Sequence, residues 1–345
     1  MIRIIPWLSL AMMPLIIDEW ALAQLAQYLS YGLFAMSLAL IWGQAGLLCF
    51  GHALYFGLGA YAMSIVTLGL VPGLGGLTSS WVGLVLAMII PAGVAGLLGA
   101  WLFRGRSVRG AYFGIITLAL AVIAERAATS WDYLGGLNGL IGVPPFDAAP
   151  FEPVFEIFDP ILVFFSTLAV CALVYWALVK LLQSPWGLVL RALRDQEDRV
   201  AFLGFDTARL KTEAFMIAGA MAGLAGALFV TQFGFASPSL IGFALSTEVL
   251  VWVALGGRGL LMASFLGAIL VRYFEGFLGD ILGPYWLLGL GFAFVAVVLF
   301  LPRGLLAEPY FLITRAQSRT SGATASDPSA QGFVSRPEDK PPAMR

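Results

Sequence analysis

The sequence predicts an all-α polytopic membrane protein with about ten transmembrane segments (eight to ten) and one polar helix on the cytoplasmic side. Three observations predict it. The 345 residues are 60% hydrophobic and 11% charged, with a mean hydropathy of +0.91, whereas a soluble domain carries about 25% charged residues. Several windows of about 17–22 apolar residues hold no charge, the length that crosses a hydrocarbon core of roughly 30 Å. Their pattern is continuous rather than alternating, so the spans are helices that satisfy their own backbone and not barrel strands.

In chain order the segments are Ile2–Ile17, Leu22–Trp42, His52–Leu70, Trp81–Phe103, Ala111–Ala128, Ile161–Leu182, Glu213–Phe233, Leu245–Leu255, Leu260–Leu278 and Pro284–Leu301. Leu245–Leu255 is too short to span untilted and reads as half of a broken helix. Arg3, the apolar run after it and Ala21-Leu22-Ala23 also fit a secretory signal peptide. A retained first helix is the expectation, because Asp18-Glu19-Trp20 makes an ordinary exposed turn. The apolar transmembrane region is taken as 1–312, and 313–345, rich in Ser, Thr, Ala, Pro and Gln, as a disordered cytoplasmic tail.

Basic residues orient the chain. Arg104, Arg106 and Arg109 share one loop; Arg191, Arg194, Arg199, Arg209 and Lys211 share another; Arg303, Arg315 and Arg319 follow the last span. With ten segments and a cytoplasmic N-terminus, all of these fall inside, while Asp132, Asp147, Glu152, Glu156, Asp159, Glu275 and Asp280 fall outside. Both termini are therefore expected in the cytoplasm. The loop 129–160 is the longest outside one, and its Gly135–Leu140 and Val143-Pro144-Pro145 runs are turn formers.

Glycines inside spans, such as Gly32, Gly57, Gly59, Gly219, Gly223 and Gly226, are expected to let helices approach closely. Gly43-Gln44-Ala45-Gly46 and Gly256-Gly257-Arg258-Gly259 lie between spans instead, where a helix can unwind away from lipid. Neither ends in the Lys-Ser/Thr of a phosphate loop. Two cysteines, Cys49 and Cys171, and one histidine, His52, supply no disulfide framework and no metal cluster. No nucleophile or acid/base set converges at membrane depth, which leaves an enzyme as the weakest functional class.

The stretch 184–212 is the most charged run outside the tail. Ser184-Pro185 places an N-cap before a first-turn proline. Val189, Leu193, Val200 and Leu203 recur at helical spacing, with Arg191–Asp195, Arg194–Asp198 and Asp195–Arg199 as i,i+4 pairs. One amphipathic helix ending at Gly204 is expected, with Asp206 capping the next. It either packs on its own bundle or inserts into a partner's groove.

Ionisable residues at membrane depth are functional candidates. Glu125, Asn138, Glu248 and Arg272 are the candidate substrate pathway, although Glu248 with Arg272 serves equally as a structural ion pair. His52 reads as a capping or packing residue.

Six runs resemble one family, the permease subunits of branched-chain amino-acid ABC importers and their urea and short-amide relatives. They are LIWGQAGLLCFGHALYFGLGAYA (Leu40–Ala62), RGAYFGIITLALA (Arg109–Ala121), GGLNGLIGVPP (Gly135–Pro145), GLVLRALRDQEDRVAFLGFD (Gly187–Asp206), AGAMAGLAGALF (Ala218–Phe229) and FLPRGLL (Phe300–Leu306). The resemblance implies a multi-pass permease of a bacterial inner membrane. It implies pairing with a second homologous permease, two cytoplasmic ATPase subunits and a periplasmic substrate-binding protein. No cofactor is implied in this chain; ATP and magnesium would sit on the ATPases. By the same resemblance Arg191, Leu193, Arg194, Asp195, Glu197, Arg199, Leu203 and Gly204 form the ATPase-coupling segment. Trp252–Gly259 is similar to the urea-type members, whereas Gly142-Val143-Pro144 leans to the amino-acid members, so branched-chain amino acids lead and urea or short amides follow.

Overall fold

A computed structural model of the chain describes residues 4–72, 78–104, 110–148 and 157–282, with isolated positions between 285 and 306. Pro284–Leu301, the tail from 313, Arg106, Arg109, Glu152 and Glu156 lie wholly or mostly outside the described residues. The helices are α1 (Ile5–Ala11), α2 (Glu19–Ala39), α3 (Ala53–Thr67), α4 (Ser80–Arg104), α5 (Ala111–Ser130), α6 (Pro160–Gln183), α7 (Pro185–Asp195), α8 (Glu197–Phe202), α9 (Thr207–Phe233), α10 (Phe243–Gly256) and α11 (Leu261–Leu282). Among the described residues the fold is all-α apart from a two-residue antiparallel ladder, β1 (Leu140–Ile141) on β2 (Phe235–Ala236).

Among the described residues α2, α4, α5, α6 and α9 are each long and apolar enough to cross a membrane. α10 and α11 pass that test as a pair bent by 118° at their break, in line with the broken helix that the short Leu245–Leu255 segment predicts. The first expected span is different. Its helix lasts seven residues and gives way to a 3₁₀ turn containing Pro14, which cannot donate the next helical hydrogen bond. Trp7 of α1 nevertheless packs on Tyr175 and Phe265, with ring centroids 5.5 and 5.3 Å away.

α2 and α9 form the buried centre, while α4, α5 and α6 turn most of their apolar surface outward. Small residues make the centre possible. A β-carbon on Gly223 of α9 would stand 2.0 Å from the Ala87 carbonyl oxygen of α4, and one on Gly59 of α3 would stand 2.2 Å from that of Gly223. Such backbone contact gives dense dispersion packing where no hydrophobic force draws helices together. Gly93 faces open space and takes no part in it.

Both glycine breaks are irregular. α2 loosens into a π-helical turn over Leu40–Gln44, and α10 ends at Gly256 with Gly257 at φ +126°. The two breaks meet: Gln44 Nε2 donates to the Gly259 carbonyl at 3.2 Å, and a β-carbon on Gly43 would fall 1.8 Å from the Arg258 oxygen. Leu305 and Leu306 donate to the carbonyls of Leu255 and Gly256 at 2.7 and 3.2 Å, which ties the end of the family-like FLPRGLL run to the same place.

Candidate functional site

The 184–212 segment is two helices rather than the single one its periodicity predicts. Gln196, at φ −152° and ψ 88°, is extended and separates α7 from α8. Pro185 opens α7 as expected, but the Ser184 hydroxyl donates to the Leu181 carbonyl at 2.6 Å instead of capping. α7 folds tightly back on α6: a β-carbon on Gly187 would meet the Leu182 oxygen at 2.4 Å. Asp206 does cap α9, accepting from the Arg209 amide at 3.0 Å, and Gly204 turns the chain after α8 at φ +88°.

The apolar stripe is divided. Leu190, Leu193 and Val200 are buried against the bundle, whereas Leu203 is 75% exposed and its neighbour Phe202 91%. Leu193 thus seats the segment on its own chain, and the exposed apolar groups stand at the turn after α8. The charges also depart from i,i+4 pairing. Arg191 donates to the Gly187 carbonyl of its own helix at 3.2 Å and to the Leu182 carbonyl at 2.9 Å, the latter an acceptor that the end of α6 leaves open. Arg194 Nε pairs with adjacent Asp195 at 2.9 Å. Glu197 pairs with Lys211 Nζ at 2.5 Å in a nearly buried contact, with Lys211 over the Phe103 ring at 5.5 Å. Arg199 is exposed on α8.

One contact joins this segment to the glycine breaks. Arg194 Nη1 donates to the Gly43 carbonyl at 2.7 Å, and the Arg194 side chain crosses Gly46 so closely that a β-carbon there would lie 2.9 Å from its Cγ. The loosened turn leaves carbonyls without helical donors, and a guanidinium is well suited to supply them. Arg194, Gly43 and Arg258 therefore form a continuous path from α7 to the α10–α11 bend.

A second group lies toward the other end of α11. Arg272 Nη1 bonds Glu275 at 2.6 Å and stands 3.6 Å from Glu248 of α10. Its guanidinium lies over the rings of Tyr31 and Trp252, at 4.7 and 5.7 Å from their centroids. The Glu248–Arg272 pairing expected from sequence is present, with Glu275 the tighter partner. Arg272 Nε and the buried Trp252 Nε1 have no hydrogen-bond partner among the described residues. Tyr31 packs against Phe229 and Phe56 at 5.0 and 6.0 Å, extending an aromatic wall beside the charges.

The other two pathway candidates stand apart from this cluster. The Glu125 carboxylate occupies the space a β-carbon on Gly242 would fill, at 2.7 Å, and so sits against the N-terminus of α10. A carboxylate is favoured there by the helix dipole. Asn138 is exposed on a short 3₁₀ turn beside the β1–β2 ladder. His52 is fully buried; its Nε2 lies 2.7 Å from Ser37 Oγ and its ring stacks on Phe34 at 5.3 Å, a packing role without side-chain capping.

Tyr31, Trp252 and Glu275 were not among the sequence candidates, and neither was the Lys211–Glu197 pair. Aromatic residues in apolar spans carry no local mark of function, and i,i+14 spacing gives no hint of contact. Arg272, alone and deep in its segment, was the available signal for its cluster.

The sequence matches the family model described as the branched-chain amino acid transport system / permease component over residues 21–301. It is 31% identical over 296 residues to the high-affinity branched-chain amino acid transport system permease protein LivM of Salmonella typhimurium, covering 80% of this chain and 67% of that one. LivM of Escherichia coli K12 is 31% identical over 315 residues, covering 86% and 71%. The permease protein LivH of Salmonella typhimurium is 23% identical over 291 residues, covering 81% and 92%. No solved structure matches the chain. Residues 21–301 take in both glycine breaks, the α7–α8 segment and the Arg272 cluster, and the chain belongs to the family of branched-chain amino acid transport permease components.

Proposed function

We propose that this chain is the membrane permease of an ATP-driven importer that carries branched-chain amino acids across a bacterial inner membrane. A second related permease would complete the pore, two ATPases would bind from the cytoplasm, and a periplasmic protein would deliver substrate. ATP and magnesium belong to the ATPases. The basic residues of the 104–109 and 184–212 stretches and those after Leu301 support placing these three regions on the cytoplasmic side.

The observation that carries this reading is the Arg194–Gly43 bond, which ties the polar segment to the break between α2 and α3 and, through Arg258, to the α10–α11 bend. The α7–α8 segment is the coupling element. Arg191, Leu193 and Glu197 seat it on the bundle; Arg194 transmits its movement; Asp195, Arg199, Leu203 and Gly204 face the ATPase, with Phe202 as a further anchor. Closure of the ATPase dimer on ATP favours one position of this segment and hence one arrangement of the breaks.

The test is uptake of tritiated leucine into vesicles holding the complete importer. Uptake should require ATP and the periplasmic protein, and Leu203→Asp should abolish co-purification of the ATPases while the permease remains inserted. Leucine uptake by the permease alone on an ion gradient would exclude this reading in favour of a secondary transporter. Uptake of urea but not leucine would favour the urea and short-amide reading, which the Trp252–Gly259 run supports.

A further inference from the structure

The Arg272 cluster has the chemical form of a receptor for an amino acid's head group, and we infer that Arg272, Glu248 and Trp252 bind the zwitterionic α-ammonium and α-carboxylate of the substrate within the membrane. This rests on the importer reading above and adds the place and chemistry of recognition to it.

The bonding is incomplete in a specific way. Glu275 is directly bonded to Arg272 at 2.6 Å and holds one edge of the guanidinium. Glu248 at 3.6 Å is beyond the 2.7–3.2 Å of a direct N–H···O bond, so its carboxylate is only loosely engaged. Arg272 Nε and Trp252 Nε1 are donors without acceptors among the described residues. Two idle N–H donors and one underused carboxylate complement a carboxylate joined to an ammonium. Buried donors left unpaired are costly, which makes an absent acceptor the economical explanation. Urea, being neutral, has no counterpart for the carboxylate's charge.

Position supports the same conclusion. The side chains of Arg272 and Glu248 are 23% and 27% exposed on the chain alone. Charges at this depth do not face lipid; they face a partner or a water-filled path. They sit on α10 and α11, the bent pair, and discontinuous helices are the usual builders of substrate sites near the bilayer midplane.

The experiment is binding of tritiated leucine to the permease–ATPase complex in nanodiscs without the periplasmic protein. Competitors are 4-methylpentanoate, which lacks the ammonium, isoamylamine, which lacks the carboxylate, and urea. In the wild type each single-charge analogue should compete about ten- to a hundredfold more weakly than leucine, the worth of a charged hydrogen bond. Glu248→Gln should bring leucine and 4-methylpentanoate toward equal affinity; Arg272→Gln should do the same for leucine and isoamylamine. Trp252→Phe, which keeps the ring and loses only the N–H, should weaken leucine several-fold. A purely structural ion pair would alter stability but not these ratios. Wild-type competition by the analogues as strong as by leucine, or an unchanged leucine-to-4-methylpentanoate ratio in Glu248→Gln together with unchanged leucine affinity in Trp252→Phe, would overturn the site while leaving leucine import intact. Loss of leucine uptake by the complete wild-type importer would instead strike the importer reading itself.

Discussion

At the residue scale, the buried Lys211–Glu197 pair shows how a cationic loop residue becomes structural. A lysine with a side chain 4% exposed needs a counter-charge, because the desolvation of an ammonium is otherwise uncompensated. The attraction does not make the pair a large net stabiliser, yet removing Glu197 leaves the buried Lys211 ammonium without its carboxylate, at a cost of about 3–5 kcal/mol. Glu197→Gln is therefore expected to lower the melting temperature of the purified complex markedly, followed by intrinsic tryptophan fluorescence. The double variant Lys211→Met with Glu197→Gln should recover much of the loss. Arg194 differs in kind. Its bond to the Gly43 carbonyl lies on the coupling path, so Arg194→Ala should leave the ATPases bound but raise the ATP consumed per leucine transported, measured in the same vesicles.

At the element scale, the centre depends on the contact of α3, α4 and α9 through Gly59, Gly223 and Ala87. A side chain at Gly223 must displace the α4 backbone, since its first carbon already falls 2.0 Å from the Ala87 oxygen. Gly223→Val is expected to reduce the monodisperse fraction in size-exclusion chromatography severely, while Gly93→Val, facing open space, should leave it unchanged. The polar segment follows the opposite rule. Its break at Gln196 lets α7 pack along α6 and α8 reach Lys211, and the turn that follows leaves Phe202 and Leu203 outward. One unbroken helix could not have satisfied both halves.

At the scale of the whole molecule, the orientation read from basic residues has a direct test. Both native cysteines are buried, so background labelling by an impermeant maleimide should be low. Leu137→Cys, on the exposed turn beside Asn138, should be labelled from the periplasmic side of spheroplasts. Phe202→Cys should be labelled only after the membrane is opened. Labelling of both from one side would contradict the placing of the α7–α8 turn and the 129–148 loop on opposite faces.

Much of this protein was determined locally. Membrane-spanning helices follow from long charge-free runs, the α10 fragment from its short length, and the importance of both glycine breaks from their place between spans. Each of these is a property of neighbouring residues, which the chain carries whatever its fold. The tertiary structure alone decided which residues meet across long separations. It brought Gly43 to Arg258, Arg194 to Gly43, Lys211 to Glu197, and Trp252 with Tyr31 to Arg272. It also decided that Leu193 is buried while Leu203 is exposed, although helical spacing in the sequence puts both in one apolar stripe. The reason is physical: periodicity assigns a residue to a face, but only packing determines what covers that face, and a single extended residue at Gln196 was enough to redirect it.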